Sequence, residues 1–268
     1  LFLEEAAQNT EIDEHTHAHL FGEALYMVEG AAGISTCDTS FLFGCYHSLL
    51  ASVIYHEGIE TLPDLSQACK ESKDGIGADN PPCQHGIGHG VLVYTGYDDL
   101  VGALDLCRTI SQRVTGGCSS GVFMEYNFHT MESDSGLYSR PLAEDPFAPC
   151  STLKPVHQPS CYLEQVQWWE SVFGHDYEKI GVLCAEISER VNRQACFHGI
   201  GNYVATFTQL DIQETIELCA LMPSYESRAQ CHEGASWLVY GDGSGVQKAR
   251  LLCAELEEPY STRCNDKL

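Results

Sequence analysis

The sequence predicts an all-α, disulfide-stapled α-solenoid of about seven helix-pair repeats, and two observations carry that prediction. Fourteen cysteines fall into two strictly alternating classes, and loop-forming residues lie where a helix–turn–helix unit of about 35 residues requires them. One class is Cys45, Cys83, Cys118, Cys161, Cys196, Cys231 and Cys264, most of them followed two or three positions later by Gly or His. The other is Cys37, Cys69, Cys107, Cys150, Cys184, Cys219 and Cys253, which closes apolar runs such as Ile180-Gly181-Val182-Leu183 or Ile216-Glu217-Leu218.

A first-class cysteine marks the start of helix A of a unit, and a second-class cysteine lies near the end of helix B. Units therefore begin near residues 19, 45, 83, 118, 161, 196 and 231, with a last partial unit from 264. The first unit has no leading cysteine, but His19-Leu20-Phe21-Gly22 aligns with His85-Gly86-Ile87-Gly88 and with His198-Gly199-Ile200-Gly201. Residues 196–208 read as helix A, Asp211 as an N-cap, and residues 212–221 as helix B ahead of Pro223. The plan repeats with helix A over 231–240, a Gly-rich turn at 241–245 and helix B over 246–256. Two insertions rich in Gly, Pro, Asp and Ser, at 72–82 and 131–149, interrupt the beat. No domain boundary is visible, so residues 1–268 are expected to form a single helical-repeat domain. Because both ends of the chain fall inside the rhythm, head-to-tail self-association into a filament is an expectation too.

The start of A and the end of B lie at the same end of a helical hairpin, which allows two pairing schemes. Pairing within hairpins strands Cys37 and Cys264 at opposite ends of the stack. Pairing across the junctions uses every cysteine: Cys37–Cys45, Cys69–Cys83, Cys107–Cys118, Cys150–Cys161, Cys184–Cys196, Cys219–Cys231 and Cys253–Cys264. The second scheme is the one expected, and each short loop would contribute about 2–3 kcal/mol by restricting the unfolded chain.

Composition narrows the setting. An even, paired set of cysteines points to an oxidising compartment, whether extracellular, periplasmic or at the cell surface. The start at Leu1, without Met or a leader, suits a chain whose signal peptide has been removed. No Cys-x-x-Cys occurs, which argues against zinc ribbons and c-type haem. With 38 acidic against 14 basic residues the formal charge is −24, so nucleic acid is excluded as a partner and an anionic membrane surface is disfavoured. No apolar run reaches membrane-spanning length. Partners are expected to be proteins or other copies of the chain.

The helix-pair beat resembles tetratricopeptide and Sel1-like solenoids in period, although their signature residues are absent. Cys83-Gln84-His85-Gly86-Ile87-Gly88-His89-Gly90, Cys118-Ser119-Ser120-Gly121-Val122-Phe123-Met124-Glu125, and Asp145-Pro146-Phe147-Ala148-Pro149-Cys150 with Cys161-Tyr162-Leu163 are closer to something known. These segments resemble cysteine-rich exported helical-repeat proteins of prokaryotes, an uncharacterised family. The likeness runs from about residue 37 to 264. It implies the fold and the compartment, and no activity.

Candidate chemistry sits on the A helices. The third position after the first-class cysteine is Ser48, Gly86, Gly121, Gly199 or Gly234, with Glu164 the exception, and reads as a packing position where backbones meet. The second position is His47, His85, Ser120, Leu163, His198 or Glu233, and the first unit supplies His19. A single histidine there is expected to serve a structural role by bonding a backbone carbonyl of the adjoining unit. His85 and His89, however, are four apart and share a helix face, as do Glu125 and His129 on the next A helix. If opposite faces of successive A helices meet, these four converge into a three-histidine, one-carboxylate site suited to zinc, copper or iron. The alternative is a hydrogen-bonded polar seam. His15-Thr16-His17-Ala18-His19 is a second histidine cluster, expected to splay if helical. Asp74, Asp79, Glu132 and Asp134 read as solvated loop acids. No Gly-x-Ser-x-Gly elbow exists, Ser119-Ser120 has only the general neighbourhood of histidines to recommend it, and the Gly-x-Gly after His85 follows no strand, so hydrolase and dinucleotide readings find little support. The expected function is an extracellular or cell-surface binding or structural scaffold, with a metal-binding protein or metalloenzyme as the rival.

Overall fold

A computed structural model describes residues 14–72, 79–131, 140, 142 and 145–268. The protein is all-α: every regular element among the described residues is helical. The chain divides into two compact units, Leu1–Tyr126 and Asn127–Leu268.

The first unit runs through α1 (Glu14–Glu29), a tight 3-10 segment (Gly30–Ser35), α2 (Gly44–Glu57), α3 (Leu62–Glu71), α4 (Pro81–Thr95), α5 (Leu100–Ile110) and the opening turns of α6 (Gly117–Met131), inside which the boundary falls. The A-type helix α2 packs against both α1 and α4. Leu49, Leu50, Val53 and Ile54 of α2 and Ile87, Val91 and Leu92 of α4 are all fully buried. Being covered on nearly every side, α4 has no polar stripe; its start is fixed by Pro81 and Pro82, whose missing N–H groups cost nothing there, and by the Asn80 side chain accepting from the Cys83 amide at 3.4 Å. The B-type helix α5 is capped by Asp99, which accepts from the Gly102 amide at 3.0 Å.

The second unit contains α7 (Gln158–Phe173), α8 (Tyr177–Glu186), α9 (Arg190–Phe207), α10 (Ile212–Cys219), α11 (Tyr225–Val239), α12 (Val246–Ala254) and α13 (Tyr260–Asn265). Here α9 packs against α7 and α11, burying Val166, Trp169, Ile200, Val204 and Val239. The Trp169 indole donates to Pro146 O at 3.0 Å, tying the Asp145–Cys150 segment to α7. Asp211 caps α10 through the Glu214 amide at 2.9 Å. Both α9 and α11 begin well before Cys196 and Cys231, because Ser224 and Ser227 form a reciprocal cap that starts α11 early and α9 continues from Arg190.

Disulfides join Cys37–Cys45, Cys69–Cys83, Cys107–Cys118, Cys150–Cys161, Cys184–Cys196, Cys219–Cys231 and Cys253–Cys264, leaving no free cysteine. Each bond joins a second-class cysteine to the first-class cysteine that follows it, across a loop of 8 to 14 residues. The staples thus hold each cysteine-bearing A helix, at or within two turns of its start, against the end of the segment before it.

Glycine sets how closely successive A helices approach. A Cβ on Gly86 would lie 2.5 Å from Tyr46 O, one on Gly121 would overlap His85 O, and one on Gly199 would overlap Leu163 O. Gly22 and Gly88 meet the carbonyls of Cys45 and Cys118 in the same way. Side chains just outside these contacts are therefore carried from helix to helix in one register.

Candidate metal centre

That register places the second-position residues of the first unit side by side. His19 on α1 and His85 on α4 each come to His47 on α2, and His15 and His89, four residues from them, approach His47 as well. The ring centroids of His47, His85 and His89 lie 4.7 to 5.1 Å apart, and those of His15, His19 and His47 lie 4.6 to 5.6 Å apart. Within each trio, one ligand atom per histidine lies within 4.8 Å of the others. His47 belongs to both.

Burial keeps the centre of the row neutral. His47 is held well below the ordinary imidazole value, first by burial and then by His89, His85, His19 and His15; His85 is lowered by burial and by His89 and His15. A neutral imidazole keeps one nitrogen lone pair for a metal. Nε2 of His47 and Nε2 of His89 are buried without a hydrogen-bond partner among the described residues. Leaving such an atom without a partner costs about 1–3 kcal/mol, so a bound ion would remove a standing penalty.

The other nitrogen of His89 is held in place. Its Nδ1–H donates to Glu125 Oε2 at 2.9 Å, and the Tyr97 hydroxyl donates to Glu125 Oε1 at 2.6 Å. The structure therefore seats Glu125 behind His89, where a carboxylate orients a ligating imidazole, and leaves Nε2 as the nitrogen that Glu125 does not engage. His129, one turn further along α6, belongs to the second unit.

His47, His15 and His19 were not marked by i, i+4 spacing from His85. The signal that finds His47 and His19 is the shared second position after the cysteine, or its equivalent in the first unit. His15 to His19 is helical, and the expected splaying does not separate His15 from His19, which are four apart, share a face and meet with ring centroids 4.6 Å apart. Of the loop acids, Asp79 pairs with Arg113 at 2.9 Å, while Asp74, Glu132 and Asp134 lie outside the described residues.

In the second unit the same register carries ions instead of an imidazole row. His198 Nε2 lies 3.1 Å from Glu233 Oε2, and Glu233 also takes Arg263 Nε at 2.5 Å and Lys267 Nζ at 2.6 Å. Burial pushes the Glu233 carboxyl up, but the hydrogen bonds and charges of His198 and Lys267 outweigh it and hold the group at about 2. Glu233 is thus an anion already paired with three donors, His198, Arg263 and Lys267.

No helix among the described residues is long and apolar enough to cross a membrane. The chain matches no protein-family model, no curated protein and no solved structure.

Proposed function

We propose that this protein binds a transition-metal ion, zinc or copper, through His47, His85 and His89 in an oxidising compartment outside the cytoplasm. The observation that carries this reading is the pair of buried, partnerless Nε2 atoms on His47 and His89 within a histidine trio whose ligand atoms lie within 4.8 Å. A purely structural seam gains nothing from such atoms and bears their desolvation cost. Three nitrogen ligands suit zinc or copper, and leave a fourth position for water or another small ligand. Seven disulfides with no free thiol support the compartment, and they make the stapled helices the scaffold on which the site is held.

Metal analysis tests the reading. Protein purified with its disulfides intact, loaded with Zn(II) or Cu(II) and dialysed against a weak chelator, is expected to retain metal in stoichiometric amount. His89→Ala is expected to lose it while keeping the wild-type helical content. Wild-type protein that retains none after dialysis overturns the proposal.

A further inference from the structure

The five-histidine row points to a second ion, and we infer that His47 bridges a dinuclear centre: one metal held by His47, His85 and His89, the other by His15, His19 and His47. This inference rests on the metal-binding reading above and adds the second site.

Three observations carry it. First, His15 Nδ1 lies 2.7 Å from Phe41 O; a carbonyl can only accept, so the proton sits on Nδ1 and the Nε2 lone pair is turned inward. Second, His15 Nε2 lies 3.1 Å and His47 Nδ1 3.3 Å from His19 Nε2. With neutral rings these two contacts cannot both be full two-centre hydrogen bonds. If His19 Nε2 carries its proton, that one proton faces two acceptors; if it does not, His47 Nδ1–H can donate to it, but the contact with His15 is lone pair against lone pair. An ion among the three nitrogens satisfies all of them together. Adjacent ligand nitrogens of a tetrahedral zinc are about 3.3 Å apart, given bonds of about 2.0–2.1 Å, which matches the two separations. Third, His47 uses Nδ1 toward the α1 pair, so its buried, partnerless Nε2 is the nitrogen left for the α4 pair.

Binding two ions across one ring requires His47 to lose its N–H proton to solvent and become an imidazolate, so the second equivalent of metal releases that proton. An imidazolate bound to both ions through its two in-plane nitrogen lone pairs couples the unpaired electrons of two Cu(II) ions through the ring's σ framework.

Titration of the wild-type protein with Cu(II), followed by electron paramagnetic resonance at helium temperature, reads both stoichiometry and bridging. The expected result is a mononuclear signal up to one equivalent and loss of intensity as the second equivalent binds. The double variant His15→Gln, His19→Gln is expected to bind one equivalent with full signal; because the wild-type titration reads the bridge directly, a misfolded variant does not blunt the test. Two equivalents with fully independent signals overturn the bridge. One equivalent in the wild type, unchanged in the variant, overturns the second site and leaves the mononuclear reading standing. No retained copper removes both.

Discussion

Nδ1 of His89 lies 2.9 Å from Oε2 of Glu125, and the other oxygen of that carboxylate holds the Tyr97 hydroxyl at 2.6 Å. A carboxylate in this place fixes the tautomer, aims Nε2 and raises the basicity of the ring. Glu125→Gln keeps an acceptor for His89 but removes the charge, so it is expected to weaken metal binding about 10–100-fold with little change in folding. Tyr97→Phe, one bond further out, should have a smaller effect in the same direction. Competition against a chromophoric chelator measures both; equal affinities for wild type and Glu125→Gln would mean that the carboxylate plays no part behind His89.

The glycine contacts make a second expectation. Alanine at Gly86 or Gly199 gains about 1 kcal/mol of helix propensity but places a methyl on a backbone carbonyl, that of Tyr46 or Leu163. Overpacking of this kind costs about 1–3 kcal/mol, and a helix backbone cannot turn aside as a flexible side chain can. Both variants are expected to melt below wild type. Gly86→Ala should also lose metal, since it adjoins His85 and sets the spacing of α2 and α4, whereas Gly199→Ala should bind normally. Thermal melts paired with metal analysis check this, and a Gly86→Ala protein as stable as wild type would contradict the packing account.

Much of this was legible in the sequence because cysteine, glycine and proline act locally. The alternation of Cys69, Cys83, Cys107 and Cys118 places the staples, and Gly86, Gly121 and Gly199 announce close backbone contact before any coordinates exist. Helix starts were harder to read: Ser224 caps α11 with Ser227 in place of the Glu or Gln that marks a capping box, so the helix begins before its cysteine. The site was half legible. His85 and His89 show themselves by spacing within one helix, but His47 has no histidine four residues away on α2 and is brought to them by the approach of two helices, which single-helix spacing does not encode. Glu125 was expected as a fellow metal ligand of His85 and His89, and its place behind the His89 ring depends on the depth at which α4 and α6 meet.

Glu170 on α7 gives the pH dependence. Burial pushes its carboxyl up to about 7, while the bond from the Tyr177 hydroxyl acts in the opposite direction and does not prevail. His175 Nδ1 stands 3.8 Å from the same oxygen, and Tyr203, bonded to Glu164, also feels the Glu170 charge. A carboxyl with a folded value above its ordinary 4.5 binds its proton more tightly in the folded protein. The stability it contributes is therefore fully present below about pH 4.5 and is lost as pH rises through about 7. Glu170→Gln keeps a neutral acceptor for Tyr177 and cannot ionise. Urea unfolding midpoints at about pH 5 and about pH 8 should accordingly fall more for wild type than for the variant, and the variant should be the more stable protein at the higher pH. Every other titrating group is common to the two proteins, so the difference between their profiles isolates this carboxyl. Parallel profiles would show that Glu170 does not change its protonation in that range.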